Sequence, residues 1–154
     1  MKNILLIVAN ASRARLFRVH GGVLFPLEAL AHPASRAKVA DLVSDRPGRA
    51  FDDSSGGPRR AGMEPHTDPH EVELLAFARQ VARRAAIHAR RGRYPEVLLV
   101  APPRFLGRVK LALDPGVAKR IVASVSHDYT LKDEAELVAM LETLGVHATL
   151  PVPA

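Results

Sequence analysis

Val97-Leu98-Leu99-Val100-Ala101-Pro102-Pro103-Arg104-Phe105-Leu106-Gly107 sets five apolar residues with no polar interruption against a pair of prolines. A run without alternation is the pattern of a strand covered on both faces, so it predicts a central strand with helices above and below the sheet. Pro102-Pro103 stops the strand, and residues 105–113 read as a short helix. Upstream, Asp68-Pro69-His70-Glu71 opens a long helix running to about Arg91. Asp68 caps it, Pro69 suits the first helical position because the missing N–H has no partner there anyway, and Glu71 completes a D-x-x-E capping box. Leu74, Phe77, Ala78, Val81 and Ala85 recur on one face of this helix, while Arg79, Arg83, Arg84, Arg90 and Arg91 fall mainly off it. Downstream, residues 121–125 read as another strand and 133–144 as a last amphipathic helix.

The chain opens with three apolar, β-rich runs over residues 4–9, 14–19 and 23–30, the last two separated by Gly21-Gly22, a two-residue hairpin signal. Together these elements predict an α/β protein with a mixed, layered sheet. An N-terminal antiparallel three-stranded meander is followed by a long helix and then a βαβα unit. Residues 1–145 form one domain in this reading, and 146–154 an untethered tail. Residues 41–69, rich in Pro, Gly, Ser and Asp, form a long loop of the functional or mobile kind, preceded by a short helix near residues 34–43.

Composition narrows the chemistry. The chain has 154 residues, enough for one domain with a real core. It has no cysteine, which excludes disulfides, thiolate nucleophiles and Cys-ligated zinc. At the N-terminus, Lys2 precedes an apolar run and an A-x-A site, as in a secretory signal. Residues 4–9 are too short for the roughly 7–15 apolar residues such a signal needs, so they read as a buried strand and a cytoplasmic protein is expected, with no membrane insertion.

The net charge of +6 is concentrated in the middle of the chain. Residues 79–120 hold 11 Lys/Arg against 2 Asp/Glu, whereas residues 121–154 hold 1 against 5. An excess of this kind attracts phosphate backbones. A solvated helix face, or an acidic protein or lipid partner, would use the same residues.

Two segments are the best candidates for working loops. In Ser44-Asp45-Arg46-Pro47-Gly48-Arg49, Asp45 offers a carboxylate for acid–base work, with Asp52 and Asp53 nearby, and Arg46 and Arg49 offer bidentate phosphate clamps. The turn signature Pro47-Gly48 equally allows Asp45 and Arg49 simply to close that turn. The second segment, Ala101 through Gly107, follows a buried strand, and open α/β sheets gather ligands outside the carboxyl ends of such strands. Arg104, Arg108 and Lys110 add charge there. Asp128, after the next strand, is placed on the same edge, where it answers those arginines or caps a turn. The acidic and histidine cluster His66, Asp68, His70, Glu71 and Glu73 lacks the H-E-x-x-H spacing that puts two histidines on one helix face, so no metal and no cofactor is expected. His88 and His127 read as structural or surface histidines, and Ser12 as a turn hydroxyl.

Read together with Val8-Ala9-Asn10-Ala11-Ser12-Arg13-Ala14-Arg15-Leu16-Phe17, these two segments resemble the bacterial host-attachment protein family over most of the chain. The shared pattern runs through Ser12, Arg13, Asp45, Pro47, Gly48, Pro102, Pro103, Gly107 and Asp128. The family is similar to bacterial relatives of the central domain of archaeal and eukaryotic peptide-release factors, which implies a ribonuclease-H-like layered sheet. Those domains carry a Gly-Gly-Gln loop; here the matching loop is Ser54-Ser55-Gly56-Gly57-Pro58-Arg59-Arg60, with Pro58 in the glutamine position. Proline has neither side-chain amide nor backbone N–H, so a water-activating hydrolysis is not implied. The resulting expectation is a non-catalytic, cytoplasmic RNA- or ribosome-associated domain using Arg83, Arg84, Arg90 and Arg91, which affects host attachment indirectly. The alternatives are a hydrolase of a phosphorylated or acylated substrate at Asp45, Arg46, Arg49 and Arg104, and a protein-interaction or adhesion module.

Overall fold

The computed structural model describes residues 3–32 and 69–153. Three strands come first, β1 (Asn3–Ala9), β2 (Arg13–His20) and β3 (Val23–Ala31), then the long helix α1 (Pro69–Gly92). Strand β4 (Glu96–Val100), helices α2 (Pro103–Ala112) and α3 (Pro115–Ala118), strand β5 (Ile121–Val125) and helix α4 (Glu134–Thr143) complete the order. The five strands form one sheet in the order β3-β2-β1-β4-β5, with β1 antiparallel to β2 and parallel to β4, and β4 parallel to β5. The apolar run from Val97 thus lies in an interior strand, β4, which ends at Val100, but β1 holds the middle of the sheet, flanked by β2 and β4.

Both faces of that middle are covered, which is why β1 can be apolar throughout. Leu5, Ile7 and Ala9 point to one face, where they meet Phe77, Val81 and Ala85 of α1 and Phe105 and Val109 of α2. Ile4, Leu6 and Val8 point to the other and meet Leu137, Met140 and Leu141 of α4. The sheet therefore sits between two helical layers, as a non-alternating strand requires. Helix α1 lies close over the sheet because the residues it buries beside Phe77 and Val81 are small, namely Ala78, Ala82, Ala85 and Ala89.

Local chemistry fixes the turns. Gly21 and Gly22 both have positive φ, 62° and 74°, the conformation a two-residue β2–β3 hairpin needs and glycine adopts without cost. Asp133 accepts from the backbone N–H of Glu136 at 2.8 Å, and Glu136 reaches back to the N–H of Asp133 at 3.0 Å, a complete capping box at the start of α4.

Three expectations change. The helix expected over 105–113 is α2 and begins two residues earlier, at Pro103, so Arg104 is helical as well; Pro103 starts the helix instead of merely ending the strand. Helix α3 was not anticipated, although Asp114-Pro115-Gly116 carries its signal: the Asp114 carboxylate accepts from the Gly116 N–H at 3.1 Å. The segment after Gly145 is tied down rather than free. Thr149 N–H donates to Gly22 O and Leu24 N–H to Thr149 O, both at 2.8 Å, and Ala148 is buried. A short parallel bridge to the start of β3 thus holds the C-terminal segment against the sheet. The short helix near residues 34–43, the loop over 41–69 and the Asp68 cap lie outside the described residues, except that Pro69 begins α1.

Candidate functional site

Because β1, β4 and β5 are parallel, their carboxyl ends share one edge of the sheet, and that edge carries Asn10, the Pro102-Pro103 turn and Asp128. Asn10 organises it. Its Oδ1 accepts the backbone N–H groups of Ser12 at 2.8 Å and Arg13 at 2.9 Å, an Asx turn that carries the chain from β1 into β2. Its Nδ2 donates to Asp128 Oδ2 at 2.8 Å and to Thr130 Oγ1 at 3.1 Å. All four hydrogen-bonding positions of the amide are thereby used. The other carboxylate oxygen of Asp128 accepts from the N–H and the hydroxyl of Thr130, at 2.9 and 2.7 Å. Burial alone would push the Asp128 carboxyl up. The hydrogen bonds from Asn10 and Thr130, with the charge of Arg13, outweigh burial and hold it below the ordinary aspartate value.

Asp128 therefore joins the ends of β1 and β5 and caps its own turn. It does not answer Arg104 or Arg108. Those two arginines, one helical turn apart on α2, both pair with Glu71 in the first turn of α1: Arg108 Nε lies 2.7 Å from Glu71 Oε2, and Arg104 Nη2 meets Oε1. The hydrogen bond from Arg108 is the main cause holding the Glu71 carboxyl below its ordinary value; burial opposes it, and Arg104 reinforces it. Glu73 of the same helical turn meets His32 Nε2 at 2.9 Å, and the His32 ring stacks on Phe77 at 5.1 Å.

A second carboxylate ties α1 to the edge of the sheet. Glu28 of β3 accepts from Arg84 Nε at 3.0 Å and lies 2.8 Å from His88 Nε2. Burial would raise the Glu28 carboxyl, but the His88 and Arg84 hydrogen bonds and their charges outweigh it and keep it below the ordinary value. His88 thus has an orienting partner that lies 60 residues away in sequence.

The arginines expected to meet phosphate accordingly divide. Arg84, Arg104 and Arg108 have carboxylates on them. Arg83, Arg90 and Arg91, with Arg79, are exposed and have no carboxylate partner among the described residues. Arg79, Arg83 and Arg90 lie within about 40° of one another around α1 and span ~16 Å along it. Asp45, Arg46, Pro47, Gly48, Arg49, Gly56, Gly57 and Pro58 lie outside the described residues. Asn10 and Thr130, which hold the strand ends together, were not singled out from sequence; an Asn directly after a buried strand and two residues before Ser12 was the available signal. Among the described residues no helix is long and apolar enough to cross a membrane.

The family model described as "Protein required for attachment to host cells" matches residues 5–141, from β1 into α4. The chain belongs to that family. The match takes in the Asn10 turn, both layers of helices and the Asp128 cap. No curated protein matches the chain. Among solved structures, an archaeal translation termination factor, aRF1, superposes with a TM-score of 0.50 at 15% identity, covering 94% of this chain and 40% of that one. A structure titled "Archaeal protein" has a TM-score of 0.47 at 14% identity, with the same coverage. The chain thus spans well under half the length of the termination factor it resembles. At this identity the likeness establishes a release-factor-like fold, with its mixed five-stranded sheet.

Proposed function

We propose that this host-attachment-family protein is a non-catalytic domain that binds the phosphate backbone of RNA, on the ribosome, through the outer face of α1. The observation that carries this reading is the line of exposed arginines Arg79, Arg83 and Arg90, with Arg91 exposed beside it, none with a carboxylate partner among the described residues. A guanidinium left unpaired at the surface is available for bidentate contact with phosphate. The solved neighbour named as a translation termination factor supports a place near the translation machinery. Recognition would be of backbone and shape, because the chain has no tryptophan and only 5% aromatic residues, too few for a stacking platform. A cytoplasmic location accords with this partner, and the effect on host attachment is then indirect.

The candidate strand-end network favours the non-catalytic half of the proposal. The Asp128 carboxylate already accepts three hydrogen bonds, one on Oδ2 from Asn10 and two on Oδ1 from Thr130, so it serves the fold. Co-sedimentation of the protein with bacterial ribosomes across a salt series tests the reading. Association that falls steeply with salt and is lost in a folded Arg83→Glu/Arg90→Glu/Arg91→Glu variant is expected. No association even at low salt would overturn it.

A further inference from the structure

Helix α1 ends in an unusual way. The residue just past a helix commonly adopts the left-handed conformation, and that position is commonly glycine because a side chain is strained there by roughly 1–2 kcal/mol. Here the order is reversed. Gly92 ends the helix, and Arg93 takes the left-handed position with φ 54°, the one non-glycine residue with positive φ among the described residues. Its N–H closes the helix on Ala89 O at 3.0 Å. Gly92 has a separate reason to be glycine: a Cβ there would stand 2.4 Å from Cε2 of Tyr94. Arg93 is exposed, and glycine would satisfy its backbone at lower cost. The left-handed backbone projects the Arg93 side chain beside the end of α1, which directs attention to what surrounds it.

What Arg93 adds is a third guanidinium. It lines an open pocket of about 330 Å³ with Ala89, Arg90, Tyr94, Pro95 and Arg120, and no carboxylate lines it. Arg120 is held in place by donating from Nη1 to Tyr94 O at 3.0 Å, which leaves its other N–H donors uncommitted by that bond. Two of the carbonyls at the helix end, which would repel an anion, are engaged: Ala89 O by the Arg93 N–H, and Gly92 O by Asn3 Nδ2 at 3.3 Å. Arg90 belongs at once to this pocket and to the arginine line of α1.

We propose that this pocket is a phosphate-binding subsite that takes the terminal phosphomonoester of an RNA strand, whose backbone continues along Arg90, Arg83 and Arg79. The proposal rests on the RNA-backbone reading above and adds an end preference to it. Three guanidiniums suit a terminal phosphate, which carries close to two negative charges at pH 7, better than an internal diester, which carries one.

The test is fluorescence anisotropy at pH 7.5 with one RNA oligonucleotide made in three forms, with a 5′-phosphate, with a 3′-phosphate and with hydroxyls at both ends. One phosphorylated form is expected to bind roughly tenfold more tightly than the hydroxyl form. Arg93→Gly, which keeps the left-handed turn and removes the guanidinium, abolishes that difference. Arg83→Gln weakens all three forms by the same factor. Equal affinity for all three forms in the unmodified protein would overturn the subsite while leaving the backbone reading intact. Failure to bind any of them at low salt would overturn both.

Discussion

The side of α1 that meets β3 and α2 and the side turned to solvent are both rich in charge, and they use it differently. On the inner side, Arg84 and His88 share Glu28, while Glu71 gathers Arg104 and Arg108 from α2. These groups join the helix to its neighbours. On the outer side, Arg79, Arg83, Arg90 and Arg91 carry no carboxylate among the described residues. A net charge counted along the chain cannot separate the two sets. The charge available to a partner is what remains after the fold has taken its share.

The inner set is broken most severely at Glu28. Glu28→Ala removes the shared acceptor and leaves Arg84 and His88 half-buried with no carboxylate between them, which is expected to destabilise the protein by about 1–3 kcal/mol, read as a lower urea midpoint. RNA affinity should stay the same or rise slightly, since Arg84 is released. Loss of RNA binding in a folded Glu28→Ala protein would show that the two sides are not separable.

The strand-end network should behave as a structural tie of similar or slightly smaller weight. Asn10→Ala removes the Asx turn and the bond to Asp128, with an expected cost of about 1–2 kcal/mol and no effect on RNA affinity. A large loss of binding with unchanged stability would move the site from α1 to the strand ends.

Acid provides a third way to separate the two sides. Glu28, Glu71 and Asp128 all have folded-state values lowered from their ordinary ones. A lowered carboxyl contributes stability that is fully present above its unfolded-state value, about pH 4, and is lost as the pH falls through the folded-state value. Thermal stability should therefore be flat with respect to these groups near neutrality and decline below about pH 4. In Glu28→Gln the decline should be shallower, and an identical profile in that variant would show that Glu28 is not coupled to folding.

The smallest effect is expected at Gly107. It lies inside α2 with ordinary φ, and an added Cβ would meet nothing within 4 Å. Gly107→Ala should stabilise the protein by about 0.5–1 kcal/mol, visible as a small rise in Tm. A fall in RNA binding in that variant would mean that a partner approaches the α2 backbone closely.

The layers of the fold were largely legible in the sequence, because they depend on local periodicity. The non-alternating runs in β1 and β4, the Gly21-Gly22 hairpin and the inward stripe of α1 each announce themselves within a few residues. The pairing of charges was not legible. Glu28 meets Arg84 across 56 positions and Asn10 meets Asp128 across 118, separations that only the strand order brings together. The Asp114-Pro115-Gly116 start of α3 carries a local signal, whereas the bridge from Thr149 to β3 joins segments far apart in the chain and has none.

The most direct test of the division between the two sides is the salt dependence of RNA binding by three proteins: the unmodified chain, Arg79→Gln/Arg83→Gln/Arg90→Gln/Arg91→Gln, and Arg84→Gln/Arg104→Gln/Arg108→Gln. The outer arginines predict a slope of log affinity against log salt near −3 for single-stranded RNA, unchanged in the second variant and lost in the first. A slope unchanged by the first variant and flattened by the second would contradict the account.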